Sequence, residues 1–472
     1  MLIGREKEKS VLNAAVNDSE SHFIAVYGRR RIGKTYLVRE AFGNRFTFQH
    51  AGIANGKYVD QIGSFRSSLN DYGLKTEGEL KNWYEAFDSL KDLIRNSAEK
   101  RKVIFIDELS WMDTPRGNLI SALEHFWNGW ASARKDVVLI VCASATAWML
   151  NKVIHDKGGL YHRLTEQIHL KQFCLSECEA YIRSRGLVMT RMQILQYYMV
   201  FGGVPFYWTF LEKGLSLPQN IDRTLFSEDA PLKDEFKYLY ASIFKKPEGY
   251  LEIVQALGKK RIGMTREEII NATGRINSGD LTKKLTELES CGFIRKYRSI
   301  GKEKKDSLYQ LIDFLTLFHF MFLLGKPADE NFWSNQINTP SINTWLGLAF
   351  ERVCMEHVRQ MKQKLGIGGV LTDVCSLYCK ADPDKGILGS QIDLLIVRRD
   401  QVINLCEMKY SATEYSVTET VDREIRRKIN DLILVSGTKY AVFPTLVTTL
   451  GINENTYSGN IQSVITLDDL FA

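Results

Sequence analysis

The chain has 472 residues and a formal net charge of +6 at pH 7, with 44% hydrophobic and 25% charged residues. At about 150 residues per domain this length predicts three domains, and the composition excludes a disordered or fibrous protein. No apolar run reaches the roughly 18 residues that a membrane span needs, and the N-terminus lacks the basic and apolar segments of a signal peptide. We therefore expect a cytoplasmic protein without a membrane partner.

The first predicted elements are a strand, a glycine-rich turn and a helix. Phe23–Tyr27 has the character of a buried strand, residues 28–35 fit G-x-x-x-x-G-K-[ST], and Thr35–Ala41 has a helical pattern. A chance glycine turn is the alternative, but the flanking strand and helix are the context that a phosphate-binding loop requires.

The residues of this turn are suited to binding phosphate groups and a magnesium ion. Gly28 and Gly33 let backbone N–H groups converge on phosphate oxygens, and the helix N-terminus adds positive potential. Lys34 is expected to reach the β- and γ-phosphates, and the Thr35 hydroxyl to bind Mg²⁺. The turn therefore predicts binding of ATP with Mg²⁺.

A second apolar strand, Lys102–Glu108, ends in two carboxylates. Asp107 is expected to hold Mg²⁺, directly or through water, and Glu108 to orient and activate the attacking water. The presence of Glu108 indicates an ATPase that hydrolyses ATP rather than only binding it.

A third apolar strand, Val137–Ser144, ends in small polar residues. The pattern resembles that of P-loop ATPases of the AAA type, in which such a strand carries a polar sensor near the γ-phosphate; the resemblance implies Ser144 as the candidate, with Thr146 as the alternate. Arg163, which follows the Gly158-Gly159 pair, is a candidate arginine finger in cis or across a subunit interface. A surface or salt-bridging arginine is the equal alternative, and a nucleotide-dependent homo-oligomer stays open.

These motifs resemble those of the STAND branch of AAA-like ATPases, and in particular its prokaryotic "archaeal ATPase" family. Residues 2–8 match the opening of that branch, Gly202–Pro205 matches its G-x-P element, and Ala143–Thr146 is similar to its third strand end. The resemblance covers about residues 1–240 and implies an ATP-driven switch in which Arg5 and Pro205 help to sense the nucleotide. The residues expected to contact the nucleotide are Arg5, Gly28, Arg31, Gly33, Lys34, Thr35, Tyr36, Ser144 and Pro205.

The middle of the chain, Gly249–Ile312, has the pattern of a winged helix. Helices are predicted over Tyr250–Leu257, from a capping box at Thr265 and Glu268, and over Ser278–Ser290. Two strands, residues 292–298 and 307–311, enclose a lysine-rich wing, Gly301–Asp306.

This middle region carries the charge excess. Residues 245–305 contain fifteen Lys or Arg and eight Asp or Glu, a balance of +7. Such a balance favours a DNA partner, with phosphate contacts from Lys283, Lys284 and the wing lysines. A structural or protein-binding module with a solvated wing is the alternative.

Further on, a packing helix is predicted over Asp313–Leu324, a connector over Gly325–Asn343 and a long amphipathic helix over Thr344–Leu365. Two strands follow, residues 391–397 and 402–410. Asp393 lies on the first of these strands, Glu407 and Lys409 on the second, and Glu351 on the helix before them.

The three carboxylates and the lysine suit Mg²⁺-assisted phosphodiester hydrolysis. Asp393 and Glu407 are expected to hold the metal, with Glu351 as an extra ligand. Lys409 is expected to position the water or to stabilise the transition state.

This region, about residues 340–445, looks like the PD-(D/E)xK nuclease fold that closes archaeal-ATPase proteins. The segment before Asp393 reads Gly389-Ser390-Gln391-Ile392 and lacks the Pro-Asp pair that names the fold. A salt-bridged surface strand, or a nuclease fold that has lost its activity, is the alternative.

The sequence thus predicts an α/β protein with an AAA-like parallel sheet, a helical subdomain, a winged helix and a restriction-endonuclease-like domain. The predicted domains are residues 1–170 (ATPase core), 171–245 (helical lid), 246–325 (winged helix) and 340–472 (nuclease-like domain). One hypothesis is an ATPase that gates cleavage of DNA. The other is an ATP-driven regulatory switch whose terminal domain only binds a partner.

Overall fold

The computed structural model of the chain describes residues 2–75, 78–155, 158–244, 246–301, 307–325 and 329–472. The chain divides into two compact units, Met1–Lys171 and Gln172–Ala472, called below the N-terminal and the C-terminal unit. The predicted α/β class is confirmed, with a parallel central sheet in the N-terminal unit and a mixed sheet in the C-terminal one. The division of residues 172–472 into three domains stays a prediction.

The N-terminal unit is built on a five-stranded parallel sheet of order β2-β3-β4-β1-β5. Successive side chains of its central strands enter two different apolar cores, one on each face of the sheet. This double burial explains why these strands are continuous apolar runs in the sequence. The strands are β1 (His22–Tyr27), β2 (Phe48–Ala51), β3 (Lys102–Asp107), β4 (Val137–Ala143) and β5 (Glu166–His169).

Helices connect these strands and cover the sheet. The longer ones have an apolar stripe, as in the fourth helix, where Asn82 caps the N-terminus and Trp83, Phe87 and Leu90 are buried. The predicted strands and the helix after the glycine turn are confirmed to within one residue at each end. The helices are α1 (Glu6–Asn17), α2 (Lys34–Ala41), α3 (Tyr58–Asp71), α4 (Trp83–Asn96), α5 (Leu109–Met112), α6 (Leu119–Gly129) and α7 (Thr146–Met149).

The C-terminal unit begins with a group of helices around an aromatic core. Tyr197 and Trp208 are fully buried, and each places its polar atom on a backbone carbonyl, Tyr207 O at 2.9 Å and Gly202 O at 2.8 Å respectively. These helices are α8 (Leu175–Ser184), α9 (Arg191–Phe201), α10 (Pro205–Trp208), α11 (Leu217–Leu225) and α12 (Glu235–Ile243).

The middle segment, residues 248–311, has three helices and a three-stranded antiparallel sheet of order β6-β8-β7. The predicted capping box is confirmed, because Thr265 and Glu268 exchange hydrogen bonds between side chain and backbone. The predicted wing falls mainly on residues 302–306, which lie outside the described residues. The elements are α13 (Glu248–Gly258), β6 (Met264–Thr265), α14 (Arg266–Thr273), α15 (Gly279–Ser290), β7 (Ile294–Tyr297) and β8 (Leu308–Leu311).

The helices after the middle segment differ from the prediction. The predicted helix Thr344–Leu365 is two helices: α18 starts four residues earlier, at Pro340 after the cap Thr339, and His357 separates it from α19, which ends one residue before the predicted end. The His357 ring is buried and neutral, donating to Val353 O at 2.7 Å and accepting from Leu175 N at 3.0 Å, which fixes the break. The predicted connector contains a helical turn as well. The helices are α16 (Phe314–Phe318), α17 (Phe332–Asn335), α18 (Pro340–Glu356) and α19 (Val358–Lys364).

The chain ends in a second sheet, the C-terminal sheet, of order β15-β13-β11-β10-β9. The strands β9, β10 and β11 pair antiparallel, and the pairs β11-β13 and β13-β15 are parallel. α18 packs on one face and α20 on the other. The elements are β9 (Thr372–Cys379), β10 (Ser390–Arg398), β11 (Val402–Lys409), β12 (Tyr415–Ser416), α20 (Glu419–Ser436), β13 (Ala441–Thr448), β14 (Ile452–Asn453), β15 (Ser463–Ile465) and α21 (Leu467–Leu470).

Among the residues that the structure describes, no helix combines the length and apolar character that a membrane crossing requires.

Candidate nucleotide site and carboxylate clusters

Three parallel strands end side by side in the N-terminal unit. β4 pairs with β1 on one side and with β3 on the other, so their carboxyl ends lie at the same edge of the sheet. Gly28 follows β1, Asp107 ends β3 and Ser144 follows β4. Ligands of open α/β sheets bind outside this edge.

The loop after β1 has a backbone that only glycine adopts at low cost. Gly28 has φ 147° and Gly33 has φ 91°. A Cβ on Gly28 would lie 2.3 Å from the carbonyl oxygen of Leu170, so the close approach of these two backbones excludes any side chain. Gly33 is the N-cap of α2, which leaves the first N–H groups of that helix available to an anion.

Lys34 is 5% exposed and lies across this loop. Its Nζ donates to Gly28 O at 3.0 Å, Arg29 O at 3.1 Å and Ser144 Oγ at 2.9 Å. The ammonium is thereby held at the mouth of the loop, where phosphate oxygens would replace some of these acceptors.

Thr35 and Asp107 lie on the other side of the loop. Thr35 Oγ1 donates to Asp107 Oδ2 at 2.6 Å, and Asp107 Oδ1 accepts from the backbone N–H of Glu108 at 2.9 Å. Burial raises the pKa of Asp107, while the Thr35 bond lowers it. A hydroxyl beside a carboxylate is an oxygen donor set that suits Mg²⁺, so the residues present fit this ion.

Ser144 joins the two halves of the site. Both oxygens of Glu108 accept from Ser144, one from its backbone N–H at 3.0 Å and one from its hydroxyl. The alternate sensor, Thr146, is fully buried two residues further on, and among the described residues its hydroxyl has no hydrogen-bond partner. The structure thus brings together Lys34, Thr35, Asp107, Glu108 and Ser144.

The other predicted nucleotide contacts are placed less centrally. Arg5 is buried and donates to Lys171 O at 2.6 Å, which fastens the segment next to Leu170. Tyr36 is 48% exposed on α2. Arg31 has φ 69° within the loop. Pro205 lies in the C-terminal unit at the start of α10, and its nucleotide contact stays a prediction.

Arg163 is exposed in the turn before β5. The Asn128 side chain on α6 donates to Gly159 O at 2.8 Å and so ties this turn to the domain. The role of Arg163 as an arginine finger stays a prediction.

One contact at this site could not be predicted from the sequence motifs. The guanidinium of Arg30 lies 5.8 Å from the ring centroid of Trp111, which stands on the short helix after Glu108. This stacking connects the phosphate-binding loop to the strand end that carries the carboxylates.

In the C-terminal unit, two of the three predicted metal ligands affect each other electrostatically. Burial and, to a smaller extent, the negative charge of Asp393 raise the pKa of Glu351. Asp393 lies at an irregularity of β10, between Ile392 and Leu395, and accepts from Gln391 Nε2 at 2.8 Å. Glu351 forms an ion pair with Arg261 of the middle segment.

The third predicted ligand has different partners. Glu407 accepts from Lys428 Nζ at 2.6 Å and forms an ion pair with Lys409 Nζ at 2.9 Å. Burial alone would raise the pKa of Glu407, but the two ammonium groups outweigh burial and lower it. Lys409 therefore contacts Glu407, and both carboxylate oxygens are held by cations.

These arrangements do not fit a three-carboxylate Mg²⁺ site. Within the described ranges, no group of three or more Asp, Glu, His or Cys side chains is placed to hold a metal ion. The predicted set of Glu351, Asp393 and Glu407 is therefore not assembled; Glu351 is paired with Arg261, and Glu407 with Lys428 and Lys409.

Lys428 and Arg261 are the side chains that the sequence analysis missed. Lys428 ends the basic run Arg426-Arg427-Lys428 on α20, which was the only signal. Nothing local relates that run to β11, since the contact depends on α20 packing against the sheet.

Comparisons with known proteins bear on the N-terminal part. Residues 2–178 match the family described as the ATPase domain predominantly from Archaea. An uncharacterized protein of Methanocaldococcus jannaschii is 26% identical over 371 residues, 77% of this chain and 78% of the relative. An uncharacterized ATP-binding protein of the same organism is 36% identical over 45 residues, 10% of this chain and 76% of the relative.

Two solved structures are similar at low identity. The Walker-type ATPase of Pyrococcus abyssi is 16% identical, with 67% of this chain and 95% of that one covered at a TM-score of 0.46. The ORC2 protein of Aeropyrum pernix, in its ADPNP–ADP complexes, is 15% identical, with 76% and 96% covered at a TM-score of 0.41. Residues 2–178 are therefore similar to the ATPase domain found predominantly in Archaea, and the geometry of the loop after β1 is that of a phosphate-binding loop.

Proposed function

We propose that the N-terminal unit binds ATP with Mg²⁺ and hydrolyses it, and that the nucleotide state controls the rest of the chain. The observation that carries the proposal is the convergence of Lys34, Thr35, Asp107 and Glu108 where three parallel strands end. The ATPase family of residues 2–178 supports the same reaction.

The residues have separate roles in this proposal. Lys34 neutralises the β- and γ-phosphates, and the N–H groups of the loop and of α2 bind their oxygens. Thr35 and Asp107 would hold Mg²⁺, and the bound ion would supply positive charge against the charge that develops on the phosphates. Glu108 orients the attacking water and accepts its proton.

Ser144 is proposed to position Glu108 and Lys34 together. Its hydroxyl accepts from Lys34 and donates to Glu108, so a displacement of Lys34 by the phosphates would also move the Glu108 carboxylate.

Arg163 is proposed to stabilise charge on the γ-phosphate, in cis or from a second copy of the chain. Light scattering with ATP or ADP tests whether nucleotide changes the oligomeric state.

The first experiment is nucleotide binding by the Lys34→Ala variant. Titration with a fluorescent ATP analogue in Mg²⁺ should show binding by the wild type and none by the variant, because the variant loses the buried ammonium. Lys91→Ala removes an ion-paired lysine of α4 and serves as the matched control. Equal binding by all three proteins would refute the assignment.

We also propose that the middle segment is a winged helix that contacts DNA. Its order of helix, strand, two helices and two strands supports the fold, and the +7 balance of residues 245–305 supports a polyanion partner. Much of that charge is neutralised within the protein, for example in the pairs Lys260–Glu268 and Lys284–Asp280. Lys283 is exposed and is the better candidate for a phosphate contact.

For the C-terminal sheet we propose a PD-(D/E)xK-like domain whose catalytic competence depends on rearrangement. Adjacent strands that carry Asp393, Glu407 and Lys409, beside a helix that carries Glu351, support the likeness. The basic partners of Glu351 and Glu407 favour the second hypothesis, a regulatory switch, for the conformation described.

Plasmid DNA with Mg²⁺ or Mn²⁺, and with ATP or ADP, distinguishes the two hypotheses. Cleavage by the wild type that is lost in Asp393→Ala establishes a nuclease, and its dependence on ATP establishes gating. Absence of cleavage in every condition favours the switch that only binds a partner.

A further inference from the structure

Two arginines inside the C-terminal unit have no acidic partner. Arg352 on α18 is 5% exposed, and Arg295 on β7 is partly buried. Within the described ranges neither guanidinium forms an ion pair with a carboxylate, in contrast to Arg261, which is paired with Glu351. A cation that is withdrawn from water without a counter-ion is strongly unfavourable, so we expect an anion at this place.

Most hydrogen-bond donors of Arg352 are unused. Its Nη2 donates to Arg261 O at 2.8 Å. Its Nε and Nη1 atoms are buried and, among the residues that the structure describes, have no hydrogen-bond partner. Buried polar groups without a partner are uncommon, and they mark places where a water or an ion supplies it. For a guanidinium the missing partner has to be an acceptor, which excludes a metal cation.

Hydrogen bonds hold the two guanidinium groups in one network. Arg295 Nε donates to Gln310 Oε1 at 2.7 Å. Gln310 Nε2 donates to Arg261 O at 2.8 Å, the same oxygen that Arg352 contacts. Arg295 also lies over the Tyr297 ring, 4.6 Å from its centroid. Both cations are therefore fixed in position, and burial and, to a smaller extent, the positive charge of Arg352 lower the pKa of Arg295 to about 10.

The acidic side chains of this region do not balance the positive charge. Glu351 Oε1 is paired with Arg261, while its Oε2 is buried and, within the described part of the chain, has no partner. Asp393 accepts from Gln391 Nε2 at 2.8 Å. The charges of Glu351 and Asp393 raise the pKa of Arg352, but burial lowers it more. Three guanidinium groups and two carboxylates leave one positive charge in the region.

Inorganic phosphate suits both kinds of unpartnered atom. Its charged oxygens accept strong hydrogen bonds from guanidinium N–H groups. At pH 7 it also carries a hydroxyl, which can donate to a carboxylate oxygen such as Glu351 Oε2. A water molecule could make the same hydrogen bonds but would leave the buried charge uncompensated. Because Arg352 is enclosed, the ligand has to be a small ion rather than a DNA strand.

We propose that Arg352 and Arg295, together with Arg261 and Glu351, form a binding site for one inorganic phosphate ion. Arg261 and Arg295 belong to the middle segment, and Glu351 and Arg352 to α18. A bound phosphate therefore fastens the middle segment to α18. The site lies in the C-terminal unit and goes beyond the proposed ATPase reaction of the N-terminal unit.

The test is phosphate binding by the full chain with Lys34→Ala, which removes the ammonium of the phosphate-binding loop. Titration calorimetry without Mg²⁺ or nucleotide should show one phosphate ion per chain. Adding Arg352→Lys should weaken binding at least about ten-fold, because the ammonium cannot replace the planar set of donors. Adding Arg352→Met should abolish binding. Sulfate, which has no hydroxyl to donate at pH 7, should bind at least about ten-fold more weakly than phosphate.

Arg275→Met in the Lys34→Ala chain is the matched control, since Arg275 is an arginine of the same segment that is already paired with Glu252. It should bind phosphate as its parent does. Urea unfolding gives a second readout. Phosphate should raise the urea midpoint of the parent and leave that of Arg352→Met unchanged. Without phosphate, Arg352→Met should be at least as stable as the parent, because it removes an uncompensated buried charge.

Three results would overturn the site. Absence of phosphate binding by the Lys34→Ala parent would show that water satisfies the donors of Arg352. Unchanged phosphate binding in a folded Arg352→Met variant, checked by circular dichroism, would place the ion elsewhere. Equal affinity for sulfate and phosphate would contradict the choice of phosphate. If Arg352→Met does not fold, loss or retention of phosphate binding in Arg295→Met decides in the same way.

Discussion

In the N-terminal unit the predicted carboxylates lie where three parallel strands end side by side. In the C-terminal unit Asp393 and Glu407 lie on antiparallel strands and Glu351 on a helix, and both glutamates are paired with basic side chains. Asp107 and Glu108 contact Thr35 and Ser144, which are neutral hydroxyl groups. Glu407 contacts two lysines. The first arrangement leaves acidic oxygens for a cation, and the second already satisfies them with protein cations.

The difference shows that strand direction matters as much as residue type. Parallel strands bring consecutive strand ends to one edge whatever the loops between them, so β1, β3 and β4 deliver their polar residues to one place. On an antiparallel pair, an irregularity of one residue changes which neighbours a side chain meets, as at Asp393. Carboxylates predicted from sequence motifs therefore form one assembled site in the N-terminal unit but belong to two separate clusters in the C-terminal unit.

The largest expected effect is the loss of ATP turnover when a carboxylate of the N-terminal site is replaced. Glu108→Gln should keep ATP binding but lower turnover by about 10²- to 10⁴-fold, the range of general acid–base catalysis, because an amide cannot accept the proton of the attacking water. Phosphate release and nucleotide binding are measured on the same preparation. Glu99→Gln, at an exposed loop position, is the control, and unchanged turnover in Glu108→Gln would remove this residue from the mechanism.

The next prediction tests the loop that orders the N-terminal site. Gly28→Ala should destabilise the chain by about 2–4 kcal/mol, since the added Cβ meets Leu170 O and the φ value is unfavourable. Urea unfolding measures the loss. Gly63→Ala, inside α3 with open space around the site, should be neutral or stabilising by comparison. Equal stability of the two variants would contradict the close backbone contact.

A third prediction tests whether the ion pairs of Glu407 stabilise the C-terminal unit. Glu407→Gln should cost about 1–3 kcal/mol at pH 7, because two mostly buried ammonium groups lose their partner. The folded pKa of Glu407 is lowered from 4.5, so its stabilisation is present above that value and is lost as the pH falls through the folded pKa. The gap between wild type and variant should therefore shrink below about pH 4.5 in urea unfolding.

A double-mutant cycle tests whether the loss of stability in Glu407→Gln comes from its contact with Lys428. If Lys428→Met and Glu407→Gln together cost less than the sum of the single changes, the two side chains interact as the 2.6 Å contact indicates. A pH-independent gap would show that Glu407 is not ionised in the folded chain.

The smallest expected effect concerns the middle segment. Lys283→Ala should weaken DNA binding about two- to ten-fold and reduce the salt dependence by one phosphate contact. Lys284→Ala should change DNA binding less, because Lys284 is paired with Asp280 and lies over the Tyr250 ring. Fluorescence anisotropy at several salt concentrations compares the two neighbours. Equal effects would contradict the distinction drawn from their surroundings.

Local features of the fold could be predicted from sequence because residues a few positions apart determine them. The glycine turn between β1 and α2, the apolar runs of β3 and β4, and the capping box at Thr265 are of this kind. The assembly of the N-terminal site was predictable too, since it follows from the parallel order of those strands. The break at His357 was not, because it depends on a hydrogen bond from Leu175, 182 positions away.

By itself, therefore, the sequence determined the phosphate-binding loop, its carboxylate partners and several of the strands and helices, among them β1, α2, β3 and β4. Only the tertiary structure decided that Arg261 meets Glu351, 90 positions along the chain, and that Lys428 meets Glu407. The physical reason is range: dihedral preferences, caps and periodicity act within a few residues, whereas an ion pair depends on which surfaces the packing of helices against a sheet brings within contact.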